Sequence, residues 1–246
     1  MTLSEINSKI TQLTGADTTS SGYATANRLI DINLWQHKVL TMILNSQDES
    51  DFDDQRNSTY PFKYLSLVAG QRDYSIPVSE KVVAIKRVDI TYDGVNWFKA
   101  EPIDSGEILG GIPLSTETEA ELALDNNFSK TAPRYDSKYN SIFIYPRATQ
   151  AEVDAGAQMK VEWVREITEF SSAELTTGTA VPGFDSAFHP ILAYGPSFEY
   201  CQSLNLPQTK TLFAMLQDYE GRLRKTYGEK QKDRVYQLSG QYQSYK

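Results

Sequence analysis

The sequence predicts an α+β fold, in which N- and C-terminal helices pack together as a helical bundle beside a mainly antiparallel β-sheet or sandwich. Apolar residues recur with a helical period near both ends of the chain. Between them, residues 62–170 contain segments that alternate apolar and polar positions, as half-buried strands do. The expected parts are helices in 1–47, a β domain in 60–170, helices in 182–228 and a tail in 229–246.

The N-terminal part begins with a capping box, Thr2-Leu-Ser-Glu5, followed by apolar residues on one helix face until Gly15 ends the helix. A second helix is expected from about residue 25 to residue 46. Its apolar positions, Leu34 among them, extend beyond a single face. We therefore expect this helix to pack on two neighbours or on another subunit.

The β domain opens with a strand that begins at Leu65, a tight turn at Ala69-Gly70 and a short strand that Pro77 stops, because proline cannot donate to a central ladder. A longer strand is expected from residue 82 to about 92, with a hairpin turn at Asp93-Gly94. Further strands are expected at 141–145 and 159–163.

Residues 103–133 interrupt this pattern with Gly110-Gly111 and a stretch rich in Thr, Glu and Ala. Such a long loop is unusual in a compact domain and tends to be functional or disordered. We interpret it as an interaction arm that contacts a partner or another subunit. Its candidate contact residues are Glu107, Ile108, Leu109, Leu114, Leu122 and Phe128.

The C-terminal part starts with an entry turn, Pro182-Gly-Phe-Asp185, and a helix that Pro196 should kink or interrupt. Pro207 suits the first turn of the last helix. That helix shows apolar residues at 212, 216, 219 and 223, and Gly228 is expected to end it. The polar tail beyond it has too few aliphatic residues to fold by itself.

Composition restricts the function. The chain carries a net charge of −8, although residues 207–246 hold eight Lys/Arg against four Asp/Glu. An acidic body argues against general nucleic-acid binding, which depends on basic side chains, and suits a surface that DNA passes without sticking. The single Cys201 excludes internal disulfides and is expected to be buried. No membrane span or signal peptide is expected, so a cytoplasmic location is the default.

No catalytic motif is evident, and we predict that the protein is not an enzyme and binds no metal or cofactor. His37 and His189 lack metal-ligand spacing, and Gly195-Pro-Ser-Phe-Glu199 departs from a nucleophile elbow because Glu199 replaces the required glycine. An acidic loop follows the second helix. It fails the EF-hand pattern because Arg56 stands where glycine is needed, and a solvated acidic turn is expected instead.

Four stretches together resemble one protein family. They are Gly70-Gln-Arg-Asp-Tyr-Ser-Ile-Pro77, Pro133-Arg-Tyr-Asp-Ser-Lys-Tyr-Asn-Ser-Ile-Phe-Ile-Tyr-Pro146, Met159-Lys-Val-Glu-Trp-Val-Arg165 and Pro182-Gly-Phe-Asp-Ser-Ala-Phe-His-Pro-Ile-Leu192. In this order, and after two N-terminal helices, they are similar to the head-to-tail adaptor (connector) proteins of tailed bacteriophages. None of these stretches is catalytic.

The resemblance implies a structural virion protein that forms a ring, typically of twelve copies, between the portal protein and the tail or its stopper. Helices would face the portal, the sheet would build the body, and DNA would pass through the ring without specific binding. Assembly would take place in the host cytoplasm. The long 103–133 segment departs from the family pattern, so its partner on the tail side is left open.

The C-terminal tail is our predicted docking segment, because tyrosine is enriched at interfaces and could anchor a tail that has no core of its own. The residues expected to contact the portal or an adjacent subunit are Tyr227, Lys232, Arg234, Tyr236, Tyr242 and Tyr245. One alternative stays open: a carbohydrate-binding or glycan-hydrolysing phage tail protein, since aromatic and acidic residues are plentiful.

Overall fold

The computed structural model describes residues 1–18, 22–46, 52–76, 81–103, 125–138 and 141–238; Thr176 and residues 230–238 are described by their backbone alone. The chain divides into two compact units. A helical unit comprises Met1–Tyr60 and Glu166–Lys246, and a sheet unit comprises Pro61–Arg165. The predicted α+β class is therefore confirmed.

The helical unit contains α1 (Leu3–Thr14), α2 (Thr25–Asn45), α4 (Ser172–Thr177), α5 (Ile191–Ser203) and α6 (Thr209–Leu238), with a short 3-10 helix at Ser186–Phe188. Helix α5 contacts α1, α2 and α6. The expected capping box at Thr2 and Glu5 is present, and Gly15 ends α1 with a φ of 69°. Cys201 is buried in α5, as expected.

A buried arginine joins the first two helices. The guanidinium of Arg28 in α2 donates to the carbonyl oxygens of Tyr23, Ala16 and Asp17, at 2.7 to 3.0 Å. It also donates to Thr11 Oγ1 at 2.6 Å and to both oxygens of Asn7. Because Arg28 is fully buried, these bonds replace the water that its charge loses on folding.

The last helix differs from its prediction. Helix α6 continues past Gly228 to Leu238, so the expected end at Gly228 is wrong. A Cβ at Gly228 would lie 3.3 Å from the carbonyl oxygen of Ser46. Glycine therefore serves close packing there, and a helix stop is not needed to explain it. Helix α5 also runs through Pro196, and Pro207 lies two residues before α6 begins.

The described residues of the sheet unit form seven strands and one short helix. The strands are β1 (Phe62–Ser66), β2 (Asp73–Ser75), β3 (Val82–Thr91), β4 (Phe98–Pro102), β5 (Arg134–Lys138), β6 (Ser141–Tyr145) and β7 (Gln158–Arg165), with α3 at Gln150–Asp154. They form one sheet in the order β1-β7-β3-β4-β5-β6-β2. The described pairs are antiparallel except β4 with β5, which is parallel.

The two strands around Gly70 do not pair with each other: β1 pairs with β7 and β2 pairs with β6, at opposite ends of the strand order. Six residues, 67–72, connect them and span at most about 25 Å. Seven strands laid flat would be about 29 Å across. The sheet must therefore curl, which brings its two outer strands together around a core that includes Val88, Ile144 and Met159.

Strands β3 and β4 are joined by residues 92–97, a longer connection than a two-residue hairpin. The Asp93 carboxylate organises it by accepting hydrogen bonds from the backbone N–H groups of Val95 and Asn96, at 2.9 and 2.7 Å. These bonds hold the pKa of Asp93 well below its usual range. The expected turn at Asp93-Gly94 is present within this longer connection.

Candidate functional site

The described part of the family-like signature, residues 70–76, builds a turn. Gly70 has a φ of 72°, which favours glycine. The hydroxyl of Tyr74 accepts from the N–H of Val68 at 3.0 Å and lies 3.2 Å from the carbonyl oxygen of Gln71. Burial raises the pKa of Tyr74. The glycine and the tyrosine of the signature thus close the link between β1 and β2.

The arginine of the same signature belongs to a second cluster. Arg72 Nη2 lies 3.1 Å from Asp125 Oδ1, and Arg147 Nε lies 2.7 Å from Asp125 Oδ2. Arg72 also donates to the carbonyl oxygen of Ile144 at 3.1 Å and lies over the ring of Tyr145 at 4.4 Å. We call Arg72, Asp125 and Arg147 the arginine clamp. It fixes the point where the chain enters β5 and β6 after residues 104–124.

A buried carboxylate organises the loop before the sheet unit. Asp54 is fully buried and accepts from the backbone N–H groups of Arg56 and Thr168, at 3.0 and 2.7 Å. A Cβ on Gly183 would lie 1.6 Å from Asp54 Oδ1, so only glycine fits there. The expectation of a solvated acidic turn is therefore wrong for Asp54, because its oxygens satisfy backbone donors.

Beside Asp54 lies a cavity of about 350 Å³, lined by Gln55, Arg56, Glu174, Ala180, Val181 and Pro182. The Arg56 guanidinium donates to the carbonyl oxygen of Thr168 at 2.8 Å and pairs with Glu174. It also lies 4.8 Å from the centre of the Phe170 ring. These contacts engage Arg56 within the fold and account for its position without a ligand.

The two histidines lie in different settings. His189 is buried, with Nε2 2.8 Å from the carbonyl oxygen of Phe184 and Nδ1 2.8 Å from the Met1 ammonium nitrogen. Burial lowers the pKa of His189. His37 lies 3.3 and 2.9 Å from the carboxylates of Glu166 and Glu169. Among the residues that the structure describes, no group of three or more His, Cys, Asp or Glu could hold a metal ion.

One face of the sheet carries exposed aromatic and charged side chains. Residues directly opposite each other on paired strands lie on the same face of a sheet. Glu162 of β7 lies opposite Phe62 of β1 and Arg87 of β3, and Lys160 of β7 lies opposite Tyr64 of β1 and Asp89 of β3. Lys99 of β4 lies opposite Asp89. Trp97 precedes β4 and belongs to the same face by alternation. We call these residues the outer face. The other side of the same strands, including Met159 and Val161, is buried.

The aromatic rings of the outer face pack on one another. The ring centres of Phe62 and Tyr64 are 5.6 Å apart at 84°, and those of Tyr64 and Trp97 are 5.7 Å apart at 61°. Lys160 Nζ lies 5.1 Å from the centre of the Phe62 ring. All three rings remain substantially exposed, and Tyr64 is 53% exposed. Exposed apolar clusters of this kind mark interaction sites.

The helical unit also exposes apolar side chains. Ile30 and Leu34 lie one turn apart on α2, and both are more than half exposed. Leu204 and Phe213 are exposed near the start of α6, where the ring centre of Phe213 lies 5.5 Å from that of Phe198. The exposure of Leu34 agrees with the expectation that α2 has apolar positions beyond one face.

The structure separates the predicted docking residues. Tyr227 lies in the core of the helical unit, 6.1 Å from Phe188 between ring centres, with its hydroxyl 3.4 Å from the N–H of Asp185. It is not displayed at the surface, because it continues the apolar face of α6. Phe128 packs on Tyr145 at 5.5 Å. Lys232, Arg234 and Tyr236 lie on α6, where only the backbone is described.

The remaining predicted residues lie outside the described part of the chain: Tyr242, Tyr245, Glu107, Ile108, Leu109, Leu114 and Leu122. Sequence reasoning missed the outer face because it began the first strand at Leu65. The alternation of Phe62 and Tyr64 was the available signal.

Within the described residues, none of the helices is long and apolar enough to cross a membrane. A comparison with models of known protein families finds no match, and a comparison with curated protein sequences finds none either.

Proposed function

We propose that this protein is a structural virion subunit, a phage head-to-tail adaptor that assembles as a ring between the portal and the tail or its stopper. The observation that carries the proposal is the role of the family-like signature. Gly70 and Tyr74 stabilise the turn between β1 and β2, and Arg72 belongs to the arginine clamp. These are structural roles, as expected of a motif that stabilises a scaffold. The 133–146 stretch supplies β5 and β6 beside it.

Exposed apolar surface supports an assembling protein. The outer face lies in the sheet unit, and the exposed apolar residues Ile30, Leu34 and Phe213 lie in the helical unit. A closed ring needs at least two different surfaces that meet between neighbouring copies. Under the proposal, the terminal helices form the portal-facing bundle and the sheet domain builds the body of the ring.

The acidic charge supports passive DNA passage through the ring. Outside residues 207–246 the chain carries twelve more acidic than basic residues, and DNA phosphates would be repelled from such a channel. Neutralising the acidic residues that line the channel should slow DNA ejection. Unchanged ejection would count against this part of the proposal.

The test is negative-stain electron microscopy of the purified protein, alone and mixed with its portal. Rings, or a new layer on the portal, are the expected result. A second sample lacking residues 239–246 tests the docking tail, since that deletion removes Tyr242 and Tyr245 and keeps α6. Loss of portal binding with rings retained would support the tail as the docking segment.

The carbohydrate-binding alternative has one observation in its favour, the aromatic cluster of Phe62, Tyr64 and Trp97. Sugar-binding sites present a flat aromatic face, whereas these rings pack edge to face on each other. A monomer that ignores the portal but binds or cleaves a glycan would replace the adaptor proposal.

A further inference from the structure

We infer that the outer face is a docking surface for the acidic segment 104–124 of a neighbouring copy. The inference rests on the proposed ring and names a pair of surfaces that would join its subunits. It brings together an exposed basic and aromatic face and an acidic, aliphatic segment of the same sequence.

The charges on the outer face are sorted by exposure. Arg87 has 49% of its side chain exposed, while its partner Asp89 has only 8%. Lys160 is likewise more exposed than its partner Glu162, and Lys99 is exposed. Near the three rings, Arg87 and Lys160 are thus more exposed than the carboxylates with which they pair, and Glu101, the exposed acid two residues after Lys99, pairs with Arg134.

Segment 104–124 has the complementary composition. It contains five acidic residues and no Lys or Arg. Its aliphatic residues are Ile108, Leu109, Ile112, Leu114, Leu122 and Leu124. Aliphatic side chains can fill the spaces between aromatic rings, and the acidic residues can pair with the exposed bases. By contrast, the sheet unit apart from this segment has twelve basic and nine acidic residues in its described part.

The attachment points give this segment reach. It leaves the sheet after β4 at Ile103 and re-enters at Asp125, which the arginine clamp holds. Ten residues out and ten back could extend about 30 Å from these points. The folded chain leaves Tyr64 more than half exposed, so the outer face is open to contact with a second copy.

Donor segment and acceptor face are different surfaces of one chain, so the contact is head-to-tail. Such a contact generates rings if the rotation closes. Each copy would give its segment to one neighbour and receive the segment of the other.

A complementation experiment tests the inference with three full-length variants. The face variant carries Tyr64→Ser and Trp97→Ser, and the segment variant carries Leu109→Ser, Leu114→Ser and Leu122→Ser. The control, Val68→Ser, removes an exposed apolar residue of the same unit that is not on the outer face. Light scattering after size exclusion measures the mass, with the portal present if the wild type assembles only on it.

The wild type and the control are expected to assemble. The face variant and the segment variant, each alone, should remain monomeric. The loss of central aromatic or aliphatic anchors should weaken their association at least about tenfold. Mixing the two variants should give a dimer, because one intact face and one intact segment remain. That dimer also shows that both variants are folded.

Three results would overturn the inference. A face variant that assembles like the wild type overturns it and leaves the adaptor proposal standing. Variants that stay monomeric when mixed show that the two surfaces do not meet. Binding of a single-stranded oligonucleotide or a glycan that needs Trp97, with assembly unaffected, assigns the face to another ligand. A wild type that neither assembles nor binds the portal refutes the adaptor proposal itself.

Discussion

Replacing Arg28 by methionine should destabilise the helical unit severely, because methionine keeps an unbranched apolar stem and removes every donor. The arginine makes six hydrogen bonds to α1 and to the connection that follows it. Single bonds from a charged donor contribute about 1.5–3 kcal/mol each. Removing the charge also removes its desolvation cost, and some acceptors keep other donors. We therefore expect a net loss of about 4 kcal/mol, because several buried acceptors lose their donor.

The matched control is Lys38→Met on the same helix. Lys38 is exposed and pairs with Glu199, which is also exposed. Exposed ion pairs contribute at most about 1 kcal/mol, so this variant should stay close to the wild type. A third variant, Arg28→Lys, keeps the charge and three donors, and should fall between the two.

The assay is urea unfolding followed by far-ultraviolet circular dichroism, which reports mainly on the helices. The Arg28→Met midpoint should fall well below that of Lys38→Met, with a similar slope. Equal midpoints for these two variants would refute the reasoning, because they would mean that the six hydrogen bonds make no net contribution.

Three further predictions concern other parts of the chain. Gly183→Ala should lower the free energy of unfolding by about 2 kcal/mol or more, because the added Cβ displaces Asp54. Gly221→Ala, in an open helical position, should raise the free energy of unfolding by about 0.5–1 kcal/mol. Urea unfolding measures both changes. Asp125→Ala should release Arg72 and Arg147 and so speed amide hydrogen exchange around residues 125–132 by about tenfold or more. The control Asp154→Ala should leave these exchange rates unchanged. Equal exchange rates in the two variants would contradict the arginine clamp. Burial lowers the pKa of His189, near the Met1 ammonium and Asp185, so the unfolded chain binds the proton first. Stability should be complete above about pH 7 and fall as the pH drops below about 6.5 towards the folded pKa; a His189→Asn variant that keeps the same slope would contradict this.

Local signals predicted most helices and strands. The capping box at Thr2 and the glycine stop at Gly15 act within one turn of the chain, so the sequence alone specifies them. Strand β6 at Ser141–Tyr145 matches its prediction for the same reason. By contrast, the placement of β1 and β2 at opposite ends of the strand order depends on pairing with β7 and β6, which lie about 70 to 100 residues away. No local pattern contains that information.

The docking prediction for Tyr227 overlooked the helical period of α6. The apolar series of α6 runs through positions 212, 216, 219 and 223, and the next member four residues on is Tyr227. The docking prediction grouped Tyr227 with the tail, although Tyr227 continues the buried face even of a helix that ends at Gly228. The continuation of α6 past Gly228 was missed for another reason: Gly228 lies close to Ser46 at the end of α2, and the sequence of α6 does not reveal that contact.

The sheet unit has adjacent ends. It is inserted between two parts of the helical unit, and its first and last strands, β1 and β7, are paired, with the N–H of Trp163 3.1 Å from the carbonyl oxygen of Pro61. A short glycine linker could therefore rejoin the helical unit after excision, at little cost in loop closure. The same geometry would let recombination transplant residues 61–165 as a cassette, so that one set of helices could carry different sheets.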